Sequence, residues 1–359
     1  MGDPTGGPPS SAWTERKRGK PSDGGEEGQD PLGYCTASLL QIGKGMKHLF
    51  LAIFLLTSCS PILSLENPFE EVSRSDEIVV KSDPPLKIIA IDVGQGDATL
   101  VIGPNRRSLL IDGGPEGSDK IIRQIFLREG IIEPDWILLS HYDIDHIGGV
   151  PGLLESFSNP PTLIDRGMIT DQDHPLFTEY LRLAGDRQQE AVPGESFDLG
   201  DGASAQIIIV NGQYVDGKQV HLNPDEENAA SIGVLVTYGD FEYLTLGDLP
   251  GGGSPGGYPT KNLEDHVAEI VGDIDVLHLS HHGSETSNSE YFLKTTRPEN
   301  AVISVGADND YGHPAPTILN RLEQLEIPIF RSDQHGTIRI LSEGDSFEIQ
   351  KERKRRLAS

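Results

Sequence analysis

Between Ser140 and Gly149 the chain reads Ser-His-Tyr-Asp-Ile-Asp-His-Ile-Gly-Gly, which places His141, Asp143, Asp145 and His146 within six positions. Imidazole nitrogen and carboxylate oxygen are the donors that hold Zn²⁺, Mn²⁺ or Fe²⁺, and alternate spacing lets several of them converge from one short loop. The alternative is a solvated loop that happens to be acidic. The apolar run from Trp136 to Leu139, entered from Pro134 and Asp135, predicts a buried strand, and Gly148-Gly149 opens the turn beyond. The cluster is therefore expected on a loop at a strand's carboxyl end, where function concentrates.

Four further stretches end predicted strands with polar groups. Asp92 to Ala98 (DVGQGDA) carries Asp92, Gln95 and Asp97, and Leu110 to Gly114 (LIDGG) carries Asp112. Both set carboxylates beside glycines that permit tight turns. Asp248 follows Gly247 after an apolar run, and His281-His282-Gly283-Ser284 ends another. Taken singly, each has an ordinary explanation, since Asp-Gly marks turns and an isolated strand histidine is more often hydrogen-bonded than metal-bound. Their recurrence in one chain favours a metal site.

The elements that must position these groups read as alternating strands and helices. Apolar runs predict strands at 88–91, 98–102, 109–111, 136–139, 206–210, 232–237, 241–246, 274–279, 301–305 and 337–341. Helical patterns fall at 119–128, 149–156, 263–271, 289–295 and 316–325. Strand-rich halves with helices between them predict mixed sheets covered by helices. The glycines from Gly251 to Gly257 lack the Gly-Lys-Ser/Thr ending of a phosphate loop.

Composition narrows the chemistry. A formal net charge of −27 over 359 residues excludes a broad basic surface, which counts against tight non-specific DNA binding. Cys35 and Cys59 are the two cysteines, too few for a Cys-rich zinc module, so any metal must be held by His, Asp, Glu or Asn. Residues 1–45 are rich in Gly, Pro, Ser and charge, and are expected to be a disordered extension upstream of the true start. Residues 46–58 join a charged start to the apolar run from Leu49 to Leu56, shorter than the roughly eighteen residues of a spanning helix, as in a secretory signal. Leu56 to Cys59 resembles a bacterial lipobox, which implies lipid on Cys59, a tether over 59–85 and an exported lipoprotein of the cell envelope. That chain would meet the membrane through its lipid anchor only. The domain is expected over 86–348 and a solvated basic tail over 349–359; the sequence suggests no protein partner.

The ordered series of motifs resembles the metallo-β-lactamase superfamily, and more narrowly the extracellular hydrolase-like domain of ComEC-type competence proteins. The matching stretches are DVGQGDA, LIDGG, Ser140 to Gly149, Asn228 to Ser231, Gly247-Asp248, His281 to Ser284 and Asn309 to Pro314 (NDYGHP). They span nearly the whole ordered region. The resemblance implies an α/β fold, the four-layer αββα sandwich, with two divalent ions, Zn²⁺ or Mn²⁺, at the edge between the sheets. It assigns His141 and Asp143 to one ion, Asp145 and His146 to the other, and Asp248 to both. His281 is the expected ligand from the last half because it comes first after its strand, with His282 as its rival. Asp112 would orient a ligand imidazole; Asp92, Gln95, Asp97, Asn228 and Ser284 would line the site or the substrate. Asp143 and Asn228 stand where most of the superfamily has histidines, which hardens the first site towards Mn²⁺ and weakens it.

The reaction implied is hydrolysis of a phosphodiester, with single-stranded DNA as one candidate substrate and water activated at the metals as nucleophile. Asp145 and His313 are the expected catalytic groups, His313 stabilising charge on, or protonating, the leaving oxygen. Two competitors remain open from sequence: hydrolysis of a cell-envelope phosphodiester, lactone or amide, and a non-catalytic binding module that retains the fold.

Overall fold

The structure is a computed structural model that describes residues 86–167, 174–257 and 259–352. These lie within the compact unit Glu77–Ser359. The expected extension, signal segment, Cys59 and tether fall outside the described residues, as does the tail beyond Glu352.

Two mixed sheets are stacked on each other. The first runs, in spatial order, Phe347–Lys351, Ile338–Ser342, Leu86–Ala90, Thr99–Ile102, Ser108–Ile111, Trp136–Leu138, Thr162–Asp165 and Gln188–Glu190. The second runs Ile329–Arg331, Asn300–Ile303, Val276–His278, Phe241–Thr245, Gly233–Tyr238, Ala203–Val210 and Ser196–Gly200, with Gln213–Tyr214 paired to Ala203–Val210. Successive strand residues point to opposite faces, and here both faces are buried. Leu86, Ile88 and Ala90 enter the core between the sheets, while Ile89 and Ile91 enter the core under the helices. In the second sheet Val276 faces inward and Leu277 and Leu279 face the outer helices. Two-sided burial is why these strands read as continuous apolar runs rather than alternating ones.

The helices Asp119–Glu129, Val150–Ser156 and Pro175–Ala184 cover the first sheet through Ile122, Phe126, Leu153 and Tyr180. Glu264–Val271, Glu290–Thr296 and Pro316–Gln324 cover the second through Val267, Phe292 and Ile318. Three separate cores thus define four layers, αββα. No helix among the described residues is long and apolar enough to cross a membrane.

Two expectations need correcting. Residues 349–351 are not tail: Phe347–Lys351 pairs antiparallel with Ile338–Ser342, Lys351 opposite Ile338. Its polar alternation hid it, because an edge strand need bury only one face. The loop after Trp136–Leu138 also contains a one-turn helix, Ile144–Ile147, which carries Asp145 and His146.

The turn after Leu86–Ala90 must approach this helix closely. Gly96 adopts φ +134°, a Cβ there would lie 2.2 Å from the Asp145 carbonyl oxygen, and the Asp97 N–H donates to that same oxygen at 3.1 Å. Gly96→Ala is expected to cost more than about 1 kcal/mol, since neither the backbone conformation nor the contact accommodates a methyl group. A urea titration reads this as a lowered midpoint at unchanged slope, and an unshifted midpoint would refute it.

Candidate metal centre

The carboxyl ends of parallel strands deliver the site. Asp112 follows Ser108–Ile111, the loop from Ser140 to His146 follows Trp136–Leu138, Asp248 follows Phe241–Thr245, and His281-His282 follow Val276–His278. Ligand sites gather at such ends in α/β sheets.

Three imidazoles are oriented the same way. The His146 Nδ1–H donates to Asp112 Oδ2 at 2.9 Å, and the His282 Nδ1–H donates to the Ser304 carbonyl at 2.9 Å. Ser140 Oγ donates to Asp112 Oδ2 at 2.7 Å and so accepts from His141 Nδ1–H at 3.0 Å. With Nδ1 occupied, each Nε2 keeps a lone pair, which is how outer hydrogen bonds select a ligand tautomer. Those Nε2 atoms are buried without a hydrogen-bond partner, and so are Asp97 Oδ1 and Asp248 Oδ1. One donor atom each from Asp97, His146, Asp248 and His282 lie within 4.8 Å of one another. Buried polar atoms left unpaired are costly; four converging in one cluster, with His141 on the far side of Asp248, have the chemistry of a divalent-cation site.

Asp248 divides this centre. Its Oδ1 faces His146 Nε2 at 3.3 Å and His282 Nε2 at 3.9 Å, while Oδ2 faces His281 Nε2 at 3.5 Å and His141 Nε2 at 3.8 Å. Asp145 Oδ2 stands 3.2 Å from His282 Nε2, on the first side. Asp143 Oδ2 stands 3.6 Å from His141 Nε2, on the second, with its side chain 47% exposed. Asn228 Nδ2 reaches His281 Nε2 at 3.5 Å.

Charges in the centre hold one another. Burial pushes Asp248 up, but the surrounding His281, His146 and His282 keep it well below the carboxylate range. Asp97 is likewise held far down by His278 and His282 against burial. Asp145 sits at about 2, burial being outweighed by the close approach of His282 Nε2 and the charge of His146. Burial acts against protonated His282, yet Asp248 and Asp97 raise it to about 9; Asp248 and Asp112 raise His146 well above its ordinary value. The pocket is thus built to accommodate positive charge, and a cation entering it displaces protons. His313 behaves oppositely: burial, with His281 and His282 alongside, lowers it to about 4, so its ring is neutral near pH 7. That ring lies 5.5 Å from His281 and 6.4 Å from His282.

Several site expectations change. His282, not His281, joins the four-residue cluster, because both histidines adopt left-handed backbone (φ 52° and 53°) and the kink turns the second one inward. His281 instead donates Nδ1–H to Thr286 Oγ1 at 2.7 Å and remains partly exposed. Asp97, expected to line the site, stands inside the cluster. Asp92 stays outside, its N–H bonded to Thr337 Oγ1 and its Oδ1 accepting from Gly94 N–H. Gln95 Oε1 accepts from Gly306 N–H, and Ser284 Oγ accepts from Thr286; neither enters the cluster.

Supporting residues carried no sequence signal, since none falls within the metal-capable motifs and most act across a long chain separation. Asn288 exchanges two hydrogen bonds with the Ser280 backbone just before the kink, and its own N–H donates to buried Glu264. Fully buried Arg166 pairs with Glu227 and lies over the Tyr142 ring at 4.4 Å. Glu227 Oε1 also accepts the Tyr142 N–H, which fixes the residue preceding Asn228. His278, bonded to Tyr243 and Ser304, faces Asp97 at 3.4 Å.

The model of the metallo-beta-lactamase superfamily matches residues 91–306. Among curated proteins, the chain is 28% identical over 267 residues to ComE operon protein 3 of Bacillus subtilis, covering 69% of this chain and 32% of that protein. It is 29% identical over 277 residues to Recombination protein 2 of Haemophilus influenzae, covering 76% and 31% respectively. Competence protein ComA of Neisseria gonorrhoeae is 28% identical over 309 residues, covering 86% and 38%. The chain spans about a third of the length of these relatives.

Burial raises Glu264 to about 7 from an ordinary 4.5. The folded chain therefore keeps a proton that the unfolded chain loses between those values, so this group's contribution is full below pH 4.5 and is lost as pH rises through about 7. Glu264→Gln should flatten the decline of stability between about pH 5 and pH 8. Denaturant midpoints across that range check it, and a parallel decline in the variant would contradict it.

Proposed function

Because the chain belongs to the metallo-beta-lactamase superfamily, we propose that it is a metal-dependent hydrolase of phosphodiesters, with an unpaired nucleic-acid strand as the preferred substrate. The observation that carries this reading is the convergence of unpartnered Nε2 and carboxylate oxygens at His146, His282, Asp97 and Asp248, with His141 facing the other oxygen of Asp248. The competence and recombination names of the relatives support the nucleic-acid assignment. Asp97, Asp145, His146, Asp248 and His282 would hold one divalent ion, Zn²⁺ or Mn²⁺. Asp248 would share a second with His141, Asp143 and His281, Asn228 alongside. Bound there, such ions lower the pKa of water and neutralise phosphoryl oxygens.

The chain's own residues do the rest. Asp112 and Ser140 fix the tautomers of His146 and His141, so that proton-free nitrogens face the centre. Neutral His313, one ring from His281, is placed to donate a hydrogen bond towards a leaving oxygen. Exposed Asp143 and half-buried Asn228, both on a groove, leave the second side of the centre open to substrate.

A second substrate reading has its own support. A groove of about 450 Å³ that opens on the centre at Asp248 and His281 is lined further out by Asp225, Glu226, Glu227 and Lys261. Its acidity suits a cell-envelope diester with a neutral or cationic headgroup better than a polyanion.

Asp145→Ala and His146→Ala are each expected to lower bound Mn²⁺ or Zn²⁺ and to abolish cleavage of single-stranded DNA and of bis-p-nitrophenyl phosphate, with unchanged circular dichroism. Chelation of the wild type should do the same, reversibly. Full activity in either variant would remove the assignment, and cleavage of the small diester alone would shift the substrate to the envelope. We further propose anchoring at the cell envelope through lipid on Cys59, from the Leu56 to Cys59 sequence. Recovery in the membrane fraction that is lost in Cys59→Ala checks this, and identical fractionation of the two proteins would refute it.

A further inference from the structure

We infer that Tyr311 is a stacking platform for an unpaired base flanking the scissile phosphodiester, an inference that rests on the phosphodiesterase reading above. The Tyr311 ring is 71% exposed yet ordered against one partner, stacked on His313 with centroids 5.7 Å apart and planes inclined by 21°. His313 in turn lies 5.5 Å from His281. Three rings therefore step outward from the metal centre to solvent, and the outermost offers its free face to a planar group.

The loop that carries the platform is tied by hydrogen bonds, which lowers the ordering cost of binding on a surface aromatic. Asn309 Oδ1 accepts the His313 N–H at 3.0 Å, and Asn309 Nδ2 donates to the Gly306 and His313 carbonyls at 2.8 Å each. Gln95 pins Gly306 from the opposite sheet. The loop holding Tyr311 is thus closed on itself before any ligand arrives.

Position decides which base is stacked. Two ring-to-ring steps separate Tyr311 from His281, so the reacting nucleotide lies over the centre and its neighbour lies over Tyr311. Neither Tyr311 nor His313 lines the acidic groove, so a strand entering over this step avoids Asp225, Glu226 and Glu227. Stacking needs no basic surface and tolerates any base, because every base has a π face. It therefore supplies affinity for a nucleic-acid strand that a chain of net charge −27 cannot draw from long-range attraction. Asp308 and Asp310 flank the platform, and both are exposed. They disfavour a further phosphate beyond the stacked base, which limits the bound segment to a few nucleotides.

The test compares a thymidine tetranucleotide with an abasic tetramer of the same backbone, using the metal-loaded full chain. The wild type should show a KM about tenfold lower or more for the base-bearing substrate. Tyr311→Ala should erase that difference by raising KM for the thymidine substrate alone; Tyr311→Phe should keep it. Quenching of a fluorescent adenine analogue in a tetranucleotide, present in the wild type and absent in Tyr311→Ala, reads stacking without turnover. A preference that survives Tyr311→Ala, or an equal loss on both substrates, overturns the inference while leaving the phosphodiesterase reading intact. Failure of the metal-loaded wild type to cleave either tetramer overturns that reading and this inference together.

Discussion

The structure depends on a single electrostatic arrangement: a fully buried carboxylate, Asp248, ringed by imidazoles whose outer nitrogens are already committed. Burying a charge is costly unless it is paired, and Asp248 meets that requirement with His141, His146, His281 and His282 rather than with an arginine or lysine. An arginine would neutralise the carboxylate permanently. Imidazoles can release their protons to solvent when a cation binds, and their lone pairs would then hold it. The Nδ1 hydrogen bonds to Asp112, Ser140 and the Ser304 carbonyl decide where those lone pairs point, so the outer shell determines the chemistry of the inner one.

Holding that arrangement strains the backbone. Asp112, His281 and His282 all occupy the left-handed region, where a non-glycine residue costs on the order of 1–3 kcal/mol. The compensating contacts are close by. Both Asp112 oxygens are engaged, Oδ1 by the Ser140 N–H and Oδ2 by Ser140 Oγ and His146. The His281-His282 kink is held from below by Asn288, itself held by Glu264, and from above by the Ser304 carbonyl. These partners sit on different elements of the second layer pair, so the packed sheet and helices stabilise a turn that the local sequence disfavours.

What could be read from the sequence follows from the same physics. Strands buried on both faces announce themselves as apolar runs, so Leu86–Ala90, Ser108–Ile111 and Val276–His278 were legible, and with them the layered class. Gln188–Glu190 and Phe347–Lys351 were not, because edge strands carry polar residues that match loops equally well. The loop from His141 to His146 was legible because its side chains are close in sequence. The choice between His281 and His282 was not, since it turns on two backbone dihedrals. Asp92 and Asp97 were equivalent by composition; a backbone hydrogen bond from Asp97 N–H to the Asp145 carbonyl draws the second into the centre and leaves the first at the rim.

The acidity of the chain bears on what the centre can serve. A surface this negative repels a polyanion at long range, but with a screening length of about 8 Å at physiological salt the repulsion fades over roughly the width of a few side chains. Inside that range local groups decide. Of the acidic residues near the centre, Glu226 is paired with Lys261 and Glu227 with Arg166, while Asp225 on the same groove is exposed, so the groove stays acidic. Asp143 and Asp145 face imidazoles rather than solvent alone. Near pH 7 protons held on His146 and His282 supply positive charge at the centre, and a cation entering there would take their place. Positive charge at the centre, carried by those protons or by a divalent ion in their place, is thus supplied locally, by pairing within a few side chains rather than by a basic surface.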